Sequence, residues 1–384
     1  MKVCVLTTSF PRFNGDYPGS FVYYLCKSMA PEVVSVVIAP SDREVGVLDN
    51  AGGMISVRRF RYFIPESLQK VAYGQGIFKN LRRNPLAALE LPFFVISFFL
   101  SALASARKCD VIHAHWILSG LIGVLAKKVT GKPLVVTIHG TDARSMPKCL
   151  IKPVLENSDI VISAHPEIDG ILKSLGFPLF HSINNMIDEE RFKQAEGVDD
   201  EFGLAGKTVM SFIGRLDDFK NPMILIEAVK LIKNRETLRF LIVGDGPLRG
   251  RLEEEIVKNK LKGCVITTGF RSDVERILKS TDVFLAVSSK ENVWSTSLVE
   301  AMFCAKPCIL TAVGESSRYF KDGENAIVTP AGDESKLAEA IARLASDEKT
   351  RENMGAAAKK LYDEYFDRNK IKSHMISVYR GAAK

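Results

Sequence analysis

This 384-residue sequence predicts an α/β protein of two doubly wound, Rossmann-like domains facing a central cleft. Three observations predict it. Short β-branched apolar runs alternate with helix-length segments along the whole chain, as in parallel sheets covered on both faces. The alternation restarts midway, after a polar stretch at 185–200. The length suits two or three domains at roughly 100–200 residues each. With 46% apolar and 25% charged residues, the composition is that of an ordinary globular protein and excludes disordered, collagen-like or coiled-coil classes for the whole chain.

In the first half the runs are VCVLTT (3–8), VVSVVIA (33–39), DVIHAH (110–115), PLVVTIHG (133–140) and DIVISA (159–164). The first opens the fold as a strand. MKVCVLTTSFPRF has one Lys and a short apolar run before its Arg, not the long apolar core and small-residue cleavage site of a secretory leader. Seven Cys, none in a CxxC pair, then read as buried, reduced thiols of a cytoplasmic protein. The longest apolar run, Phe93–Ala106, is shorter than the ~20 residues of a spanning helix. Glu90 and Pro92 are expected to interrupt it, leaving a core helix or one lying in a membrane interface.

The net charge of +7 is concentrated. Arg58, Arg59, Arg61, Lys70, Lys79, Arg82 and Arg83 stand against Glu66 alone in residues 58–83, interleaved with Phe60, Tyr62, Phe63, Tyr73 and Phe78. The rest of the chain is nearly neutral. A diffuse nucleic-acid surface is therefore excluded, and no recognition motif for one is present.

The second half repeats the pattern with TVMSFIG (208–214), RFLIVGDG (239–246), CVITTG (264–269), DVFLAVS (282–288) and PCILTA (307–312). The domains are set at 1–188 and 189–366. In doubly wound sheets ligands sit beyond the carboxyl ends of the strands, so strand-end residues are the candidates.

Several common sites are absent. GDGPLRG (244–250) has its third Gly one residue too late for a dinucleotide fingerprint, and no acidic residue ends a following strand in the right place. Gly206-Lys207-Thr208 has Glu201 where a phosphate loop needs Gly. No GxSxG elbow occurs. His113 and His115 share one side of a strand end, but no third metal ligand is indicated.

Other strand ends are more informative. In FIGRLDDFK (212–220), Arg215 follows a strand and Lys220 precedes Asn221-Pro222, which reads as a helix start. A planar guanidinium and a point cation together suit a diphosphate. The alternative is two solvated loop cations. In SSKENVWSTSLVEAM (288–302), Ser297-Leu298-Val299-Glu300 matches a capping box, whose helix N-terminus attracts phosphate. Glu300 can accept ribose hydroxyls there or merely cap the helix. Ser316 and Ser317 follow the next strand at the same edge. In VTIHGTDARS (136–145), His139 ends a strand, where an imidazole can hydrogen-bond a hydroxyl or carry a proton.

Together these residues resemble the GT-B glycosyltransferases of family 4, a retaining family, over nearly the whole chain. By that resemblance the protein is an enzyme that transfers a hexose from a UDP- or GDP-sugar to a glycan or lipid-linked acceptor, with no cofactor and no metal. Arg215 and Lys220 hold the donor diphosphate, and Gly19 sits at the glycine turn before the first helix. The backbone at Phe270 and Arg271 faces the base, the amides near Ser295, Thr296 and Ser297 meet the phosphates, and Glu300 binds the ribose. His139 is the active-site histidine, and a final helix, 367–384, crosses back to pack on the first domain.

Three departures are visible. Glu291 and Glu300 are separated by eight residues where the family has seven. Either a bulge restores Glu291 or Asn292 takes its sugar contact, with Trp294 at the family's aromatic position. Gly15 and Gly19 stand singly where a Gly-Gly pair is usual, and Met186 replaces the Gly of the interdomain crossing in NNMID.

A nucleotide-sugar carries a good leaving group, so its departure needs neutralised diphosphate charge. Arg215, Lys220 and helix-end amides supply it, and no strand-flanked Asp-x-Asp metal motif occurs. The basic-aromatic segment and the apolar run after it, 58–106, suit an anionic membrane surface or a lipid-diphosphate acceptor at the inner face of the membrane. The competing readings are a non-hydrolysing sugar-nucleotide epimerase and a nucleotide-sugar-binding protein that has lost turnover.

Overall fold

The structure, a computed structural model, describes residues 1–74, 76–140, 146–290 and 293–384. It divides into two compact units, Met1–Met186 with Arg368–Lys384, and Ile187–Asp367.

The first unit is built on a parallel sheet of β1 (Lys2–Leu6), β2 (Val34–Pro40), β3 (Ile55–Phe60), β4 (Val111–His115), β5 (Leu134–Ile138), β6 (Ile160–Ser163) and β7 (His181–Ser182). Their order is β3-β2-β1-β4-β5-β6-β7. The second sheet joins β8 (Thr208–Ile213), β9 (Leu238–Val243), β10 (Val265–Gly269), β11 (Val283–Ala286), β12 (Cys308–Thr311) and β13 (Ile327–Thr329), in the order β10-β9-β8-β11-β12-β13 and also parallel. Both are doubly wound. The strand order reverses between β1 and β4 in one and between β8 and β11 in the other, which places a ligand crevice at each of those points.

Ten strands sit on the ten apolar runs, and three had no such run. β3 reads ISVRRF and lies at an edge, so its alternate residues reach solvent. β7 has only two residues, both exposed, and β13 only three.

The helices that position the argument are α1 (Ser20–Met29), α2 (Ile77–Arg83), α3 (Pro85–Ala106), α4 (Ile117–Thr130), α5 (Met223–Leu231), α6 (Thr296–Phe303) and α7 (Arg368–Ala382). α7 packs on α1, and its Tyr379 is fully buried in the first unit.

One expectation about the first unit is corrected. Glu90 and Pro92 do not interrupt the apolar helix. Asn84 caps α3 by accepting from the Leu86 N–H at 3.0 Å, Pro85 takes the first turn, and the helix runs 22 residues through Pro92. Glu90 is wholly buried and accepts from the Lys70 N–H at 2.8 Å. The result is the one helix among the described residues long and apolar enough to cross a membrane, by length and composition only.

In the basic-aromatic segment, three aromatic residues and two of the arginines are structural, while Lys70, Lys79, Arg82 and Arg83 stay exposed. Phe60, Tyr62 and Tyr73 are buried, and Phe60 stacks on Phe98 with centroids 4.7 Å apart. Arg59 donates to the Phe10, Pro11 and Pro40 carbonyls and to the Tyr73 hydroxyl, and Arg58 to Ser105 Oγ. The cysteines are free; five are buried, but Cys149 is exposed and Cys304 half-buried.

Candidate active site

In the second unit the candidate residues gather at the carboxyl ends of β8, β9 and β11. After β8 the chain turns at Gly214 into a loop carrying Arg215 and Lys220. This loop is clamped from both sides. Leu216 donates its N–H to the Asp245 carbonyl at 2.9 Å and accepts from the Leu248 N–H at 2.9 Å, while Gly214 donates to Val243 at 3.0 Å. The clamp explains the two glycines of GDG. A Cβ on Gly244 would lie 1.9 Å from the Gly214 carbonyl oxygen, and one on Gly246 would lie 2.4 Å from that of Leu216. Both take positive φ, 139° and 158°. From β11, Ser288 Oγ donates to the Phe219 carbonyl at 2.8 Å and Ser289 Oγ to Asp218 at 2.8 Å. The cationic loop is thus pinned to the switch point.

Arg215 is exposed and pairs with Asp217 at 2.7 Å. Lys220 has its Nζ 5.8 Å from the Phe219 ring centroid, and its N–H donates to Asp217 Oδ1. Asn221 does not cap α5 with its side chain. It takes φ 47°, and the cap position falls to Pro222.

The capping box is also corrected. α6 begins at Thr296 with Ser295 at its cap, and no side chain caps it. Ser297 therefore lies inside the helix, and Glu300 lies a turn beyond the end it was expected to close. Ser295, Thr296 and Ser297 are half-buried around that first turn. Glu300 is buried, and burial first, then Glu275, pushes its carboxyl up from the usual 4.5 to about 8 against the pull of Arg191. Arg191 donates to the Ser272 carbonyl and pairs with Glu275. Arg191 stands 109 positions before Glu300 in the sequence, and the fold brings the two side chains together.

Gly269 ends β10 with φ 74° and leads to Phe270, which is 63% exposed. Arg271 is not available as a side chain: it is held by Glu201 and Asp273 and covers the Phe202 ring. Glu291 and Asn292 lie outside the described residues. Trp294 is buried among Tyr319, Phe320, Tyr365 and Phe366, a core position.

In the first unit, His115 ends β4 and His139 follows β5. These strands are neighbours with His115 in register with Thr137, so the two imidazoles meet. His115 Nδ1 lies 3.1 Å from His139 Nε2, and the rings stack with centroids 5.4 Å apart. Phe21 of α1 and Trp116 flank His139 at 4.8 and 4.9 Å. Burial pushes the His139 imidazole down to about 3, with His113 adding to the shift, and holds His115 well below its usual range. Burial thus holds His139 as a neutral imidazole. Its Nδ1 is buried and has no partner among the described residues.

His113 belongs to the scaffold. It bonds Tyr379 Oη and Thr137 Oγ1, each at 2.7 Å. Among the described residues, no group of three His, Cys, Asp or Glu is placed to hold a metal. Gly19 packs against β1's loop so closely that a Cβ would lie 2.2 Å from the Ser9 carbonyl oxygen. Met186 is buried, accepts from Ser28 Oγ at 3.2 Å and lines a small cavity with His115, Asn184 and Asn185. Its bulk fills space that a Gly would leave.

Two doubly wound units with a pinned Arg and Lys loop at one switch point define a GT-B type of nucleotide-sugar enzyme. The chain belongs to the glycosyltransferases: residues 19–191 match the family described as Glycosyltransferase Family 4, and residues 198–361 match Glycosyl transferases group 1. It is 26% identical over 331 residues to an N-acetyl-alpha-D-glucosaminyl L-malate synthase of Bacillus anthracis, covering 82% of this chain and 86% of that one. It is 29% identical over 269 residues to an Escherichia coli UDP-Gal:alpha-D-GlcNAc-diphosphoundecaprenol alpha-1,3-galactosyltransferase, covering 65% and 69%. A solved structure of Anabaena HepE in complex with UDP and glucose matches its fold with a TM-score of 0.78 at 19% identity, over 99% of this chain and 100% of that one.

Proposed function

We propose that this glycosyltransferase moves a hexose from UDP-hexose to a lipid-linked glycan acceptor, with retention at the anomeric carbon and without a metal. The observation that carries the reading is the loop of Arg215 and Lys220, locked by Gly244, Gly246, Ser288 and Ser289 at the β8/β11 switch point. Two cations held there neutralise the departing diphosphate, each charge-assisted bond contributing about 1.5–3 kcal/mol. That supply of charge is the support for metal independence. Glu300, kept low in charge by burial, accepts and donates hydrogen bonds at the ribose hydroxyls. Neutral His139 offers Nδ1 to a sugar hydroxyl. UDP comes from the names of the E. coli relative and the Anabaena complex, and the lipid carrier from that of the E. coli relative.

The enzyme works at the cytoplasmic face of the membrane, with residues 58–106 toward anionic lipid. Retention rests on the family resemblance alone and is read by NMR of the product anomer.

The decisive measurement is thermal unfolding with UDP, GDP, ADP and their sugars. A ligand at 100 times its Kd stabilises by about 2.7 kcal/mol, a shift of several degrees. A shift with the uridine series alone is expected, and transfer that persists in EDTA. A shift with the guanosine series alone overturns the donor, and none with any nucleotide overturns the site.

A further inference from the structure

We infer that α3 lies in the plane of an anionic phospholipid bilayer, its outer face in the lipid and its inner face in the core of the first unit. The inner face is Ala87, Glu90, Phe94, Phe98, Ala102 and Ala106, all buried against β1, β2 and β3. The outer face is unusual. Its exposed positions are Pro85, Ala88, Leu89, Pro92, Phe93, Ile96, Leu100 and Ala104, and none of them is polar. A solvent-facing helix surface ordinarily carries charged residues there. Leu89 is 71% exposed and Phe93, Ile96 and Leu100 each more than half. Their spacing of three and four places them in one row along a helix of about 33 Å. An apolar strip of that extent marks an interaction surface.

Charge says which. Exposed cations close both ends of the row: Lys79, Arg82 and Arg83 on α2 before it, and Arg107 and Lys108 after it. α3 itself has no exposed acid, since Glu90 is buried. Beside Leu100 an open cavity of about 770 Å³ is of mixed charge, with Arg43, Arg59 and Arg61 against Asp42 and Glu66, the last paired with Arg61. An apolar row with cations at both ends is complementary to lipid tails beneath anionic headgroups. The same helix has the length and hydropathy of a span. Crossing the bilayer would strip Phe94 and Phe98 from the sheet and carry Glu90 into hydrocarbon, so the helix docks lengthwise instead.

The test is sedimentation of the full-length protein with vesicles of phosphatidylcholine, with and without phosphatidylglycerol. Binding is expected to the anionic vesicles and to weaken as salt rises. Phe93→Asp with Leu100→Asp should weaken it at least tenfold. Leu231→Asp, an equally exposed leucine of the second unit, should leave it unchanged. Lys79→Glu with Arg82→Glu, which leaves the apolar row alone, should remove the salt dependence and keeps the test decisive if the first variant misfolds. The thermal shift with UDP is read in parallel and should survive in every variant, so that loss of docking is distinguished from loss of the donor site. Wild type that does not bind anionic vesicles overturns the inference. So does a dimer in sedimentation equilibrium that Phe93→Asp dissolves without any vesicle binding.

Discussion

Gly244→Ala tests the clamp on the cationic loop. The new Cβ would meet the Gly214 carbonyl oxygen at 1.9 Å and its carbon at 3.0 Å, both backbone atoms that no rotamer change can move. The β9 loop must therefore retreat from the β8 loop. Retreat stretches the Gly214–Val243 and Leu216–Asp245 bonds, and each backbone bond contributes about 0.5–1.5 kcal/mol net. Losing two costs about 1–3 kcal/mol, or roughly 2–12 °C for a unit of this size. Arg215 moves with its loop, so UDP affinity falls as well. Trp116 and Trp294 are the only tryptophans, one in each unit. In a Trp116→Phe background, Trp294 fluorescence during urea unfolding reports the second unit alone. Gly250→Ala is the control: nothing lies within 4 Å of its Cβ, and its place in the helix Arg249–Lys258 makes Ala stabilising by about 0.5–1 kcal/mol. If Gly244→Ala unfolds at the same urea concentration as Gly250→Ala, the clamp is not what these glycines provide.

Lys220→Ala should lower kcat about 10–150-fold through one lost charge-assisted bond at the diphosphate, with the unfolding midpoint unmoved; unchanged kinetics would remove Lys220 from the site. Glu300 keeps its proton to about pH 8 when folded and releases it near 4.5 when unfolded, so the second unit should lose stability as pH rises from 4.5 to 8. Glu300→Gln should abolish that slope and weaken UDP binding, and a parallel pH profile for wild type and variant would refute the buried proton. His139 accepts a proton only near pH 3 when folded but near 6.5 when unfolded, so the first unit should weaken as pH falls below 6.5, by up to about 1.4 kcal/mol per pH unit for each such histidine. In His139→Gln, acid titration followed by Trp116 fluorescence in a Trp294→Phe background should show a shallower loss than the same background with His139.

The parts legible in the sequence were those whose physics is local. A strand buried on both faces needs a continuous apolar run, and ten strands had one. β3 was hidden because an edge strand with ISVRRF looks like a charged loop, and β7 and β13 because two or three residues make no pattern. The Arg215 loop was legible because Gly214 breaks the strand just before it. The capping box was misread because Ser297 and Glu300 have the right spacing on either side of no boundary: the helix had already begun at Thr296. Non-local pairs were invisible. Nothing in DVIHAHW and VTIHG says that their last histidines touch, since that follows from β4 and β5 being neighbours in register. Nor did Arg58 and Arg59 announce that they hold carbonyls and Ser105 rather than a ligand.

The two-sided helix α3 also bears on how the chain is made. As it leaves the ribosome this segment is indistinguishable, in length and hydropathy, from one destined for a translocation channel. Yet β1, β2 and β3, the strands that receive its inner face, are all encoded before it. At synthesis rates of about 5–20 residues per second its docking partners are in solution seconds earlier. Gene order thus lets intramolecular capture compete with insertion from the moment α3 appears. A circular permutant that begins at α3 would lose that lead, and the same residues would then meet the secretion machinery before they meet their own sheet.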